Sequence, residues 1–75
     1  MNRTTLQVRL ATAERHVAQS REHLEHQHEI IARLEHAGCG QSETANVARD
    51  LLHQMERQLD GHMAEVDWLL ERLRK

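Results

Sequence analysis

Gly38-Cys39-Gly40-Gln41-Ser42 is the stretch that decides how this chain folds. It holds two of the three glycines in a 75-residue sequence without proline, so it is the strongest helix breaker present. Gly38 suits the left-handed conformation that often closes a helix, and Ser42 can accept a hydrogen bond as the N-cap of the next one. We therefore predict a turn at residues 38–41, within a single domain that spans residues 1–75.

Apolar side chains recur on both sides of this turn at alternating steps of three and four residues, which is typical of a coiled-coil seam. The stripe before the turn consists of Leu6, Leu10, Ala13, Val17, Ser20, Leu24, Gln27, Ile31 and Leu34. The stripe after the turn consists of Ala45, Ala48, Leu52, Met55, Leu59, His62, Val66, Leu69 and Leu73. Ser20, Gln27 and His62 are the polar exceptions.

The two stripes stay in register when the chain folds back on itself. Leu34 then faces Ala45, Leu6 faces Leu73, and every layer between them is filled. We predict a first helix over about residues 5–37 and a second over about residues 42–74. Thr4 followed by Gln7 resembles a capping box, which sets the expected start of the first helix. The predicted fold class is an all-α, antiparallel two-helix hairpin of the coiled-coil type.

Composition excludes several classes of protein. A single cysteine rules out an intrachain disulfide, and ten basic against twelve acidic residues give a net charge of -2 without a basic stripe for nucleic acid. The chain lacks both the apolar run of about 20 residues that crosses a bilayer and the apolar core of a signal peptide. We therefore expect a cytoplasmic protein that binds neither nucleic acid nor membrane.

A chain of this size usually needs help from a metal or a partner to be stable. One flank of the seam is the more apolar, and the residues predicted to form a dimer interface there are His23, Ile30, Val47, Leu51 and Trp68. The other flank carries an expected ion pair between Arg21 and Glu56. We predict a homodimer of antiparallel hairpins, a four-helix bundle, with a tetramer or a different protein partner as alternatives.

Seven histidines are the most unusual feature of the composition. His16, His23 and His26 form a stripe on the predicted interface, and His62 falls in the seam next to His16. Two chains could bring these four side chains together as ligands for Zn²⁺ or Cu²⁺, whereas the simpler interpretation is a polar, partly buried helix surface that needs no cofactor. If His62 is buried and neutral, its protonation at mildly acidic pH would loosen the bundle.

The catalytic constellations of enzymes are missing from the sequence. There is no nucleophile with an adjacent base, no phosphate-binding loop and no pair of acids in a pocket, and Cys39 lies in the turn without a second cysteine. We expect a non-enzymatic, homodimeric structural or protein-interaction module, an adaptor or a regulator. The alternative is a histidine-based metal-binding or pH-responsive protein.

Several short segments carry a resemblance to known sequences. These segments are His16-Val17-Ala18, Glu29-Ile30-Ile31-Ala32-Arg33-Leu34-Glu35 followed by Gly38, and Leu51-Leu52 with Glu56, Leu59 and His62. In them the chain resembles a family of short, functionally uncharacterised bacterial helical-hairpin proteins, although its turn with Cys39 and Gly40 differs from the Gly-His-Asp-Thr type of that family. The resemblance implies a bacterial, hairpin-forming protein and supplies no catalytic residues.

Overall fold

The protein is an antiparallel pair of long helices, seen in a computed structural model that describes residues 1–74. Helix α1 spans Arg3–His36 and helix α2 spans Glu43–Arg74, and the two pack against each other. Within residues 1–74 there is no β-strand. The predicted all-α two-helix hairpin is thereby confirmed.

Helix α1 begins earlier than its sequence suggested. The side chain of Asn2 accepts a hydrogen bond from the backbone N–H of Thr5 at 2.8 Å, which makes Asn2 the N-cap. The expected start near residue 5, based on a capping box at Thr4, was therefore wrong. Asparagine is as good an N-cap as serine or threonine, and capping at Asn2 lengthens the helix by about half a turn.

The turn follows the glycine and serine signals closely. Gly38 has a φ of 79°, and the N–H groups of Gly38 and Cys39 donate to the carbonyls of Glu35 and Leu34 at 3.1 and 2.8 Å. This is the hydrogen-bond pattern of a Schellman motif, in which the left-handed residue is normally glycine. Ser42 Oγ then accepts from the N–H of Ala45 at 3.1 Å and so caps α2 as predicted.

One contact that sequence alone did not suggest joins the turn to the body of α2. Arg49 Nη2 donates to the carbonyl oxygen of Gly40 at 2.7 Å and lies 3.8 Å from Glu35 Oε2. The arginine therefore links the end of α1, the turn and the second turn of α2. This link limits how far the two helices can splay apart at the closed end of the hairpin.

The predicted seam forms the core. Each of the stripe positions listed above is buried or half-buried, and Leu69 is the large side chain that is completely enclosed. The best-packed region is at the open end of the hairpin, where three consecutive predicted layers form one cluster. Its members are Leu6, Leu10, Ala13, Val66, Leu69 and Leu73.

Gln27 is a polar residue of the seam, and its side chain forms a hydrogen bond to the other helix. The side chain is 5% exposed, and its Nε2 donates to the backbone carbonyl of Ala48 at 2.8 Å. A buried amide without a partner would cost about 1–3 kcal/mol, so this bond is what allows glutamine to occupy a core position. Because the bond forms in one alignment of the helices, it also favours that alignment.

The hairpin is a rod and has no thick core. It measures 54 × 14 × 14 Å, and its radius of gyration of 16.7 Å exceeds the roughly 11 Å expected of a compact chain of this length. The seam is consequently a single layer deep, with a flank open to solvent on either side. Neither helix, over the residues described, is apolar enough along its length to cross a membrane.

Candidate dimer interface and histidine groove

The flank predicted to form a dimer interface, here called the Trp68 flank, carries His23, Ile30, Val47, Leu51 and Trp68. Val47 is 60% exposed, Trp68 43% and Leu51 42%, whereas Ile30 is half-buried and His23 exposed. Val47 and Leu51 are one helical turn apart on α2, so their side chains adjoin on the surface. Together with Ile30 they form an apolar patch at the turn end of the rod.

Trp68 lies at the other end of this flank, between two arginines. The guanidinium carbons of Arg72 and Arg9 are 4.4 and 5.7 Å from the centroid of the indole. Arg9 in turn pairs with Glu65 at 3.0 Å across the seam. These cation–π contacts restrict the ring and leave it partly exposed as an ordered apolar surface. Sequence reasoning missed both arginines, although Arg9 and Glu65 occupy equivalent positions beside the seam on the two helices.

The opposite flank has a shallow groove with an apolar floor and a charged rim. The groove has a volume of about 320 Å³, and its lining consists of Glu14, Val17, Ala18, Arg21, Met63, Val66 and Asp67. The ion pair expected on this flank between Arg21 and Glu56 was wrong, since Glu56 Oε1 lies 3.1 Å from His53 Nδ1 on its own helix. The charged side chains of this rim are Glu14, Arg21 and Asp67.

The histidines on the Trp68 flank gather near the middle of the rod. The ring centroids of His16 and His62 are 5.0 Å apart with the planes tilted by 52°, which confirms that the two side chains adjoin across the seam. They line a shallow groove of about 250 Å³, here called the histidine groove. Its complete lining is His16, Gln19, Ser20, His23, Gln58 and His62.

Three of the four histidines predicted as metal ligands therefore share one groove, and the fourth does not. His26 lies outside it, with its Nδ1 4.0 Å from Glu29 Oε2. Over residues 1–74, one hairpin has no group of three or more histidine, cysteine, aspartate or glutamate side chains placed to hold a metal ion. A single chain thus supplies the adjacent pair His16 and His62, with His23 further along the groove. A metal site formed by two chains stays a prediction.

Cys39 is exposed in the turn, where its Sγ lies 3.8 Å from the carbonyl oxygen of Ala37. This position, at one end of a rod, makes the thiol a useful attachment point for a probe.

No family model, curated protein or solved structure matches this chain. The resemblance to bacterial helical-hairpin proteins accordingly stays an expectation, and the function is argued from the two flanks of the rod.

Proposed function

We propose that this protein is a small non-enzymatic helical bundle, in which two hairpins pair through the Trp68 flank and act as a structural or protein-interaction module. The observation that carries the proposal is the exposure of Val47, Leu51 and Trp68 on one flank of a seam that is a single layer deep. Burying a large aliphatic side chain fully is worth about 1.5–3 kcal/mol, so covering this flank is a substantial gain for so small a protein.

The thin core supports a second copy as the cover. Seven apolar residues are buried in the part of the chain that the structure describes, and three of them are alanines. A core of this kind supplies few kcal/mol of net stability, and comparable chains usually gain the rest from a disulfide, a metal or oligomerisation. The single cysteine excludes an intrachain disulfide. Closed two-fold dimers are the commonest oligomers, because one surface then serves both partners.

Gly61 favours the Trp68 flank over the opposite one. It lies inside the unbroken helix α2, where glycine costs about 1 kcal/mol relative to alanine, yet a Cβ placed on it would meet nothing within 4 Å. The hairpin itself therefore has no need of glycine there. A glycine next to the histidine groove does let another helix approach closely, whereas the groove of the opposite flank is bordered by Glu14, Arg21 and Asp67.

Two-fold symmetry gives this flank a matching arrangement of apolar groups. When two hairpins overlap fully with their turns at opposite ends, the axis crosses the central seam layer, Ser20 with Leu59. A residue nine positions after Leu59 in one copy then lies level with the residue nine positions before it in the other. Trp68 consequently lies level with Asp50 of the partner subunit, between the partner's Val47 and the partner's Leu51. Trp68 of each copy therefore lies at the aliphatic patch of the other copy, so this contact occurs twice in the dimer, once at each end.

The outer faces of such a bundle remain available to another protein, which is the basis of an adaptor or regulator role. Charged residues make up 29% of the chain, and most of them are exposed. The role requires no cofactor and no catalytic group. The hairpin pairing is its premise, and it is the part that can be tested directly.

Sedimentation equilibrium together with a distance measurement from Cys39 tests the proposal. We expect a mass twice the 8.8 kDa of one chain. Nitroxide labels on Cys39 should lie about as far apart as the rod is long, 54 Å, because the turns are at opposite ends. Hairpins paired in parallel would bring the labels within roughly 20 Å, about two helix diameters. Either that short distance or a stable monomer at micromolar concentration refutes the proposed arrangement.

A further inference from the structure

We propose that the histidine groove binds a divalent transition-metal ion of the zinc class, held by His16 and His62 of one chain and by His23 of the partner subunit. This inference rests on the proposed antiparallel dimer, since the third ligand comes from the second copy. Two symmetry-related sites follow, one on each side of the two-fold axis.

The spacing of His16 and His62 matches that of two imidazoles on one metal ion. A zinc–nitrogen bond is about 2.0–2.1 Å long, and the ring centroid is roughly 1.2 Å beyond the nitrogen. Two rings on a tetrahedral metal then have their centroids about 5.2 Å apart. The observed separation of the two rings is 5.0 Å. The distance between the two rings is therefore that of a pair sharing one metal ion.

The dimer register brings a third imidazole to the same level. His23 is three positions after Ser20, and Ser20 lies on the two-fold axis of the fully overlapping pair. His23 of the partner subunit therefore lies level with the residue three positions before Ser20, which is Val17. Val17 is the seam partner of His62 and the chain neighbour of His16. Both His16 and His23 line the groove on the Trp68 flank, so the proposed pairing places His23 of the partner subunit at the level of His16 and His62.

Within residues 1–74, the histidine groove contains no carboxylate that would pair with the imidazoles. The rest of the groove lining is Gln19, Ser20 and Gln58, which are neutral and do not form ion pairs with the imidazoles. Three histidines leave the fourth tetrahedral position for water, as in many three-ligand zinc sites. His26 takes no part, because it lies outside the groove beside Glu29.

Calorimetric titration with Zn²⁺ alone at pH 7.5 measures the site. We expect one zinc ion per chain. Each of His16→Ala, His23→Ala and His62→Ala should lower the affinity for zinc at least about tenfold, because removing even a residue that only hydrogen-bonds to a metal ligand lowers the affinity that much. His26→Ala is the matched control on the same flank, and His28→Ala is the control on the opposite flank. Unchanged binding in any of the first three, or a comparable loss in either control, overturns the proposed ligand set.

Mixing two deficient variants tests whether the partner contributes His23. His23→Ala and the double variant His16→Ala with His62→Ala each lack sites as homodimers. A heterodimer of the two contains one complete site, so an equal mixture after subunit exchange should regain about a quarter of the wild-type zinc stoichiometry. If all ligands came from one chain, mixing would restore no binding.

The oligomeric state in EDTA separates this inference from the proposed function. If the protein is dimeric in EDTA and binds no Zn²⁺ in the titration without EDTA, the metal site is overturned and the proposed function stands. A monomer both with and without zinc overturns the proposed function together with the intersubunit site. Zinc binding by a monomer, independent of His23, overturns the contribution of the partner.

Discussion

Replacing Leu51 by alanine should weaken the proposed dimer by an amount that the structure lets us calculate. The side chain is 42% exposed in the hairpin, and full burial of leucine is worth about 1.5–3 kcal/mol. The part that a partner would cover is then worth about 0.6–1.3 kcal/mol. A two-fold interface contains the residue twice, so the dimer loses about 1.3–2.5 kcal/mol. The dissociation constant should rise roughly 10- to 70-fold.

Leu70 offers a closely matched control for this measurement. It is also a leucine of α2 and is 43% exposed, but it lies on the opposite flank. Leu70→Ala removes the same atoms from a position that the proposed dimer leaves in water, so its dissociation constant should stay within about twofold of the wild type. Sedimentation equilibrium over a dilution series gives all three constants, and circular dichroism checks that the variants remain helical.

The reasoning would be refuted by a Leu51→Ala variant that dissociates like the wild type. A larger effect of Leu70→Ala would show instead that the hairpins pair through the opposite flank, around the groove at Met63 and Val66. Equal effects of both substitutions would indicate that both flanks are covered, as in a tetramer.

Three further substitutions probe two features internal to the hairpin and one of the proposed interface. Gly38→Ala should lower the free energy of unfolding by about 1–2 kcal/mol in denaturant titrations, because alanine is strained at a φ of 79°, and an unchanged midpoint would contradict the assigned turn. Gly61→Ala, in contrast, should make the dissociated chain more helical by circular dichroism yet raise the dimer dissociation constant about fivefold or more, since a Cβ would obstruct the crossing of the two α2 helices. Gln27→Ala should cost about 1–2 kcal/mol in thermal melts by removing the bond to Ala48, and a neutral result would show that this bond adds nothing to stability.

Much of the hairpin follows from local sequence because its determinants are periodic and close in the chain. A repeat of three and four residues specifies which side of each helix is buried, whatever it packs against. The left-handed conformation at Gly38 and the cap at Ser42 depend only on residues within one turn of them. The closeness of His16 and His62 also follows, since the layer that contains His62 adjoins residue 16 once the register is known.

Only the tertiary structure decided which polar groups pair. Glu56 pairs with His53 three residues earlier on its own helix and not with Arg21 on the other helix, whereas Arg9 does pair with Glu65 across the seam. Which of these pairs between helices forms depends on distances that the periodic pattern does not resolve. The same holds for the hydrogen bond that makes Gln27 a core residue and for the arginines around Trp68. Burial is an average property of a helix face and can be read from a repeat, whereas a hydrogen bond or ion pair requires two particular atoms within about 3 Å. Packing of both helices brings those atoms together, and the linear order of the residues does not specify it.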